Sequence, residues 1–179
     1  MIGSRREQRS FDAFVAGASG RLMRTAYLLS GDSGHAEDLV QATLLRTARR
    51  WHRARQQPEA YARRVLVNLA KDRWRSLRRR VDEVAVVTDV VVPEDDTVPE
   101  DDAVLERQHL LAAMRELPAG QRAVLVLRFF DDLSVAETAA ALDCSEGTVK
   151  SQTSRALDRM RRLLDPDMMQ ERTNADVDR

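Results

Sequence analysis

The stretch Ser134–Leu164, SVAETAAALDCSEGTVKSQTSRALDRMRRLL, decides the fold. Ser134 followed by Glu137 forms an S-x-x-E capping box, in which a serine hydroxyl and a glutamate carboxylate satisfy the orphan amides at a helix start. Ser145 repeats the start signal just after Leu142, so Asp143 and Cys144 are left as the turn. One helix stops and a second begins within about three residues, as in a helix-turn-helix. In the second helix Val149, Thr153, Ala156, Leu157, Met160, Leu163 and Leu164 recur at steps of three and four and predict the buried face. Gly147, Ser151, Ser154, Arg155, Asp158 and Arg162 lie opposite. Thr148, Lys150, Gln152, Arg159 and Arg161 flank them. Small, hydroxyl, amide and cationic groups therefore dominate a surface suited to a DNA major groove. Asp143 takes the turn position where glycine is common, and Asp tolerates left-handed backbone better than most residues.

Pro118 predicts the opening of a preceding helix with Val124, Leu125 and Leu127 inward. Further upstream, charge divides the chain. Its net charge is zero over 179 residues, but residues 1–80 carry 18 Lys and Arg against 7 Asp and Glu. Residues 81–106 carry 10 acids and no base. That acidic run holds two prolines and no helical period, so it reads as a flexible tether, with Val84–Val92 having strand propensity but no partner strand.

Three helical blocks precede the tether. Phe11, Phe14, Val15, Ala18, Leu22, Ala26 and Leu29 form one stripe, ended by Ser30-Gly31-Asp32, a stop followed by a cap; Gly17 and Gly20 weaken its continuity. Leu39, Val40, Thr43, Leu44, Thr47 and Trp51 form the second, with Glu37 and Asp38 early and Arg49 and Arg50 late, as the helix dipole favours. After a polar break at residues 52–57, Pro58 opens a third helix that runs to Arg80. Lys71, Arg73, Arg75, Arg78, Arg79 and Arg80 crowd its end around Trp74, with Tyr61 near its start. Cations release counterions from phosphates, and aromatic faces can hold unstacked bases; equally, arginines complement a helix end and both aromatics could be core.

The predicted fold class is all-α: an N-terminal helical bundle (8–80), an acidic linker (81–106), a C-terminal helix-turn-helix domain (107–165) and a tail (166–179). A single cysteine, Cys144, excludes an internal disulfide or a multi-cysteine metal site, and no apolar run approaches a bilayer span. No membrane insertion, metal or cofactor is expected, and the setting is cytoplasmic. His35, His52 and His109 are scattered, and Asp131-Asp132, the only adjacent acid pair of the C-terminal domain, reads as a helix end. A nucleic-acid-acting enzyme thus lacks a catalytic cluster. A response-regulator output domain would fit the C-terminal motif but needs a sensor domain in residues 1–80, which show no strand alternation. An RNA-binding adaptor lacks an aromatic sheet signature.

The segments AEDLVQATLLRTARRW (36–51), PEAYARRVLVNLAKDRWRSLRRR (58–80) and LPAGQRAVLVLRFFDDLSVAETAAALDCSEGTVKSQTSRALDRMRRLL (117–164), in this order, resemble a bacterial RNA polymerase sigma factor of the extracytoplasmic-function group of the sigma-70 family, in its SigE-like actinobacterial branch. The resemblance implies partners: core RNA polymerase, promoter DNA and, commonly in the family, an anti-sigma factor. It implies polymerase contact through Asp38, Leu39, Gln41, Ala42 and Leu45, although for Leu39 core packing is the stronger reading. It implies minus-ten recognition, with a base turned out of the stack, by His52, Arg53, Arg55, Gln56, Arg63, Asn68, Asp72, Arg73 and Arg75. Minus-thirty-five recognition falls to Thr148, Lys150, Ser151, Arg155 and Arg159, with Lys150 and Arg159 contacting phosphate.

Overall fold

The computed structural model describes residues 4–83 and 102–165. The expected strand at Val84–Val92, most of the linker and the tail lie outside the described residues. Among those described, the secondary structure is helical: α1 (Arg5–Ser30), α2 (Ser33–Arg49), α3 (Trp51–Ala54), α4 (Pro58–Glu83), α5 (Asp102–Arg115), α6 (Ala119–Leu125), a π-helical turn (Val126–Phe130), α7 (Val135–Leu142) and α8 (Glu146–Leu163).

The local signals explain most of these boundaries. Gly31 adopts φ 76°, and its N–H donates to the Tyr27 carbonyl, closing α1. Asp32 then caps α2 by accepting the His35 N–H at 2.7 Å. Without a Cβ, Gly31 takes this left-handed conformation at little steric cost, so one helix can follow another immediately. Gly17 and Gly20 sit inside an unbroken α1, whose packing on α2 and α4 outweighs their low helix propensity. The polar break at residues 52–57 is shorter than expected. Trp51, 2% exposed, anchors α3 beneath Phe11 and Phe14, with Phe11 meeting its ring edge-on at 5.1 Å. That burial winds residues 51–54 into a helical turn.

The N-terminal lobe packs α1, α2 and α4 around Leu22, Ala26, Leu29, Leu39, Val40, Leu66 and Val67. In the C-terminal lobe α6, α7 and α8 close over Val124, Leu127, Leu142, Val149, Ala156 and Met160. Pro118 stands just before α6, as its flanking residue, rather than within its first turn. Val124 to Leu127 are all at most 4% exposed, so this segment is apolar on every side and runs through the interior. The apolar core is continuous between lobes: α7 packs on α4, and α6 and the π turn pack on α1.

Polar ties reinforce that seam. Arg122 donates to the Leu29 carbonyl at the end of α1 (3.0 Å) and to the carbonyls of Arg115 and Leu117. Burial, then the neighbouring Arg115, hold its guanidinium below the usual arginine range, with Glu116 opposing. Arg115 in turn donates to the Tyr27 hydroxyl at 3.1 Å. Arg122 thus joins α1, the end of α5 and the start of α6 through carbonyls left open at helix ends.

Candidate nucleic-acid interface

The helix-turn-helix is built as its caps require. The Ser134 hydroxyl accepts the Glu137 N–H at 3.1 Å, and the Glu137 carboxylate accepts the Ser134 N–H at 2.8 Å. Hydrogen bonding from the Ser134 hydroxyl and, next, from the Ser134 N–H holds the Glu137 carboxyl below its ordinary range. Asp143 ends α7 in the left-handed region, φ 54°, and Ser145 starts α8 by accepting the Thr148 N–H at 3.1 Å. Cys144 is partly buried against the core. In α8, Val149, Ala156 and Met160 are buried, with Thr153, Leu157, Leu163 and Leu164 partly so.

The opposite face of α8 is open. Thr148, Lys150, Ser151, Arg155 and Arg159 are all exposed. The Thr148 hydroxyl lies 2.9 Å from that of Ser145, and Ser151 donates to the Thr148 carbonyl, so both are committed to the helix start. Among the described residues no carboxylate pairs with Lys150, Arg155 or Arg159, whereas Arg161 is taken by Asp158 at 2.7 Å. Arg155 on the outward side of α8, with Lys150 and Arg159 at its two margins, forms an anion-facing surface whose removal from water breaks no internal bond.

In the N-terminal lobe, Asp38, Gln41, Ala42 and Leu45 form one stripe on α2, and Leu45 is 54% exposed. Leu39 departs from that stripe. It is 7% exposed and belongs to the core, because its position about a hundred degrees around the helix from Asp38 faces α1 and α4.

The minus-ten candidates are spread over several hollows and the surface beside them. Arg53, Gln56 and Arg63, with Gln57, Tyr61 and Arg64, line a cleft of about 460 Å³ whose other wall is Leu133, Glu137, Ala140 and Ala141 of the C-terminal lobe. Asn68 lies in a separate groove of about 440 Å³ with Arg46, Arg49, Arg50, Tyr61 and Val65. Tyr61 borders both. Arg55 lines a third hollow beside Trp51 and the start of α1. His52 is exposed, Arg73 is partly buried, and exposed Asp72 pairs with Arg75 at 3.3 Å. Trp74 is partly buried against the core, which favours its packing role over stacking on a base.

Sequence reasoning missed Arg46, Arg50 and Arg64 as surface cations facing these clefts. The run RTARR at 46–50 carries the signal, but dipole complementarity accounts for its arginines just as well until the path of α4 is known. Asp131, expected only to end a helix, also accepts from Thr25 and Arg63 of the other lobe. Among the described residues no three His, Cys, Asp or Glu gather as a metal site, and no helix is long and apolar enough to cross a membrane.

Comparison with known proteins agrees with this arrangement. The model of sigma-70 region 2 matches residues 14–80, and that of sigma-70, region 4 matches residues 107–160. The chain is 37% identical to the RNA polymerase sigma-E factor of Streptomyces coelicolor over 160 residues, covering 88% of each chain. It is 39% identical to that of Streptomyces antibioticus over 161 residues, covering 89% of this chain and 87% of the relative. The ECF RNA polymerase sigma factor SigM of Mycobacterium tuberculosis is 32% identical over 160 residues, with 88% and 79% covered. Among solved structures, the sigma factor RpoE in complex with the anti-sigma factor NepR from Bartonella quintana superposes with a TM-score of 0.69 at 28% identity, over 88% of this chain and 98% of that one. Two matched regions in order, relatives aligned nearly end to end and an open cationic face on a capped helix-turn-helix lead to one assignment: the chain belongs to the extracytoplasmic-function group of the sigma-70 family of RNA polymerase sigma factors.

Proposed function

We propose that this sigma factor divides promoter recognition between its lobes, with residues 8–80 gripping polymerase and the minus-ten element, residues 107–165 reading the minus-thirty-five element, and 81–106 linking them. The observation that carries this reading is the pairing of an uncommitted cationic face on α8 with the arginine-lined clefts along α3 and α4. Arg155 sits on the outward face and reads a base edge. Lys150 and Arg159 flank it and hold phosphates, and Thr148 and Ser151 set the close approach of the helix start.

On the N-terminal lobe, the α2 stripe of Asp38, Gln41, Ala42 and Leu45 docks on core polymerase. An exposed leucine beside an acid and an amide is an apolar anchor with a polar rim. His52, Arg53, Arg55 and Gln56 at α3, with Arg63, Asn68, Asp72, Arg73 and Arg75 on α4, engage the minus-ten strand. Arg46, Arg50 and Arg64 join them in binding phosphates. Turning a base out costs a few kcal/mol, which these cations and the Tyr61-lined grooves offset. The protein acts in the cytoplasm, as a partner of an enzyme and not as one itself. An anti-sigma factor restrains it by covering these same surfaces, a reading supported by the similar sigma factor RpoE having been solved in complex with the anti-sigma factor NepR.

Reconstituted transcription on a promoter library with bacterial core polymerase tests the assignment. Start sites sharing two spaced motifs are expected, with the upstream motif altered by substitutions on α8 and the downstream one by substitutions at α3 and α4. Substitutions on α8 that changed only the downstream motif would overturn the division of labour.

A further inference from the structure

We infer that Asp131 is a latch between the lobes: it occupies Arg63 in the closed chain and withholds that part of the minus-ten face from DNA until the lobes part. The inference rests on the assignment of Arg63 to that face. The backbone aims Asp131 unusually. Its N–H donates to the Val126 carbonyl at 3.1 Å, five residues back, and Asp132 follows with φ 53°. A π turn followed by a left-handed residue is an uncommon pair of deviations, and such turns recur where a side chain must be re-aimed.

Both carboxylate oxygens of Asp131 are spent on the other lobe. Oδ1 accepts the Thr25 hydroxyl of α1 at 2.8 Å, and Oδ2 accepts Arg63 Nε of α4 at 3.1 Å. The two side chains of this ion pair are only 11% and 20% exposed. The pairs Arg21–Glu59, Asp32–His35, Asp72–Arg75 and Asp158–Arg161 are at least 41% exposed on both sides, and all but the first join residues three apart on one chain segment. Exposed pairs contribute little, whereas a shielded pair whose oxygens are both hydrogen-bonded is costly to break from one side.

The same seam is tied again two turns along α4. Lys71 Nζ donates to the Leu142 carbonyl at the end of α7, 2.7 Å away, so a cation suited to phosphate caps a helix of the other lobe. Glu137 adds negative charge on the cleft wall facing Arg63. In this closed arrangement the minus-ten cleft is walled by α7, while the α2 stripe and the outer face of α8 stay exposed. Polymerase can therefore dock on α2 before the lobes separate, and separation then uncovers Arg63 and Lys71 together. A ligand that needs the open state binds more weakly by the fraction of chains that are open.

The test uses the full chain with donor and acceptor dyes on cysteines placed at Glu37 and Arg162, Cys144 being replaced by serine throughout. Asp131→Asn and Asp131→Ala are expected to lengthen the distance between dyes. They should also tighten binding of the free chain to a single-stranded minus-ten oligonucleotide, chosen from transcription with holoenzyme, by about fivefold or more. Asp158→Asn, which removes an exposed local pair, should change neither. Pairing Asp131→Arg with Arg63→Asp should restore the short distance, showing that the lobes are held by the ion pair and that the single variants have not merely unfolded. Unchanged distances and unchanged DNA affinity in both Asp131 variants, with native unfolding profiles, would overturn the latch. Arg63 is tested separately in holoenzyme: if Arg63→Ala opens promoters as well as the parent, the minus-ten assignment falls while the distance measurements still stand.

Discussion

Replacing Arg155 with alanine separates base reading from both folding and phosphate binding. Arg155 is exposed, carries no partner among the described residues and lies on the face of α8 opposite Val149, Ala156 and Met160. Its truncation leaves no buried group unsatisfied, so thermal unfolding should stay within about 0.5 kcal/mol of the parent. An arginine that donates to a base edge contributes about 1–3 kcal/mol of discrimination, which converts to roughly a five- to 150-fold loss at promoters carrying the cognate base. At promoters with another base in that position the loss should be much smaller. Lys150→Ala provides the contrast: removing one phosphate-binding cation weakens all promoters alike and lowers the slope of log affinity against log salt by about 0.9. Holoenzyme binding and run-off transcription on templates varied one base at a time in the upstream element read both effects. An equal loss for Arg155→Ala across every template would refute base reading. No loss at all would remove Arg155 from the interface.

Three further outcomes follow from the same geometry. Asp38→Arg, at an exposed position past the first turn of α2, should abolish capture of core polymerase in a pull-down while changing stability by no more than about 0.5 kcal/mol; normal capture would move the docking surface elsewhere. Leu66→Ala, at a side chain with no exposed area, should destabilise by about 2–5 kcal/mol in denaturant unfolding, and a smaller effect would mean that α1 and α2 collapse onto the gap. Glu137→Gln tests the capping box through pH. The folded carboxyl is held below its ordinary value of 4.5, so its contribution is present above that pH and fades as pH falls through the folded value. The melting temperatures of parent and variant should differ at neutral pH and converge in acid. A gap that widened in acid would contradict the hydrogen-bond geometry.

Local chemistry made much of this molecule legible from its residues. Ser134, Glu137 and Ser145 act within three residues of themselves, so their capping roles need no knowledge of the fold. The buried face of α8 and the left-handed Asp143 follow for the same reason. The π turn was harder to see. Val124 to Leu127 are buried without interruption, and an uninterrupted apolar run tells that a segment is interior but not which turn geometry it adopts. Leu39 shows the limit of transferring a role by position, because its burial is set by α1 and α4.

The seam between lobes was not readable at all. Thr25 and Arg63 stand 106 and 68 positions from Asp131, to which each donates, and neither periodicity nor charge counting pairs residues at such range. Arg122 is similar: in sequence it is one more arginine, and only the fold places it against the open carbonyls of α1 and the α5–α6 turn. The two clefts along α3 and α4 depend likewise on how α2 and α7 approach α4.

The most direct test of the central claim is reconstituted initiation: the chain mixed with bacterial core RNA polymerase, supplied with a promoter library, and the transcripts mapped at their 5′ ends. The account predicts co-purification with core enzyme and starts confined to templates sharing an upstream and a downstream motif. Core enzyme that neither retains the chain nor starts at any template above its own background would contradict it.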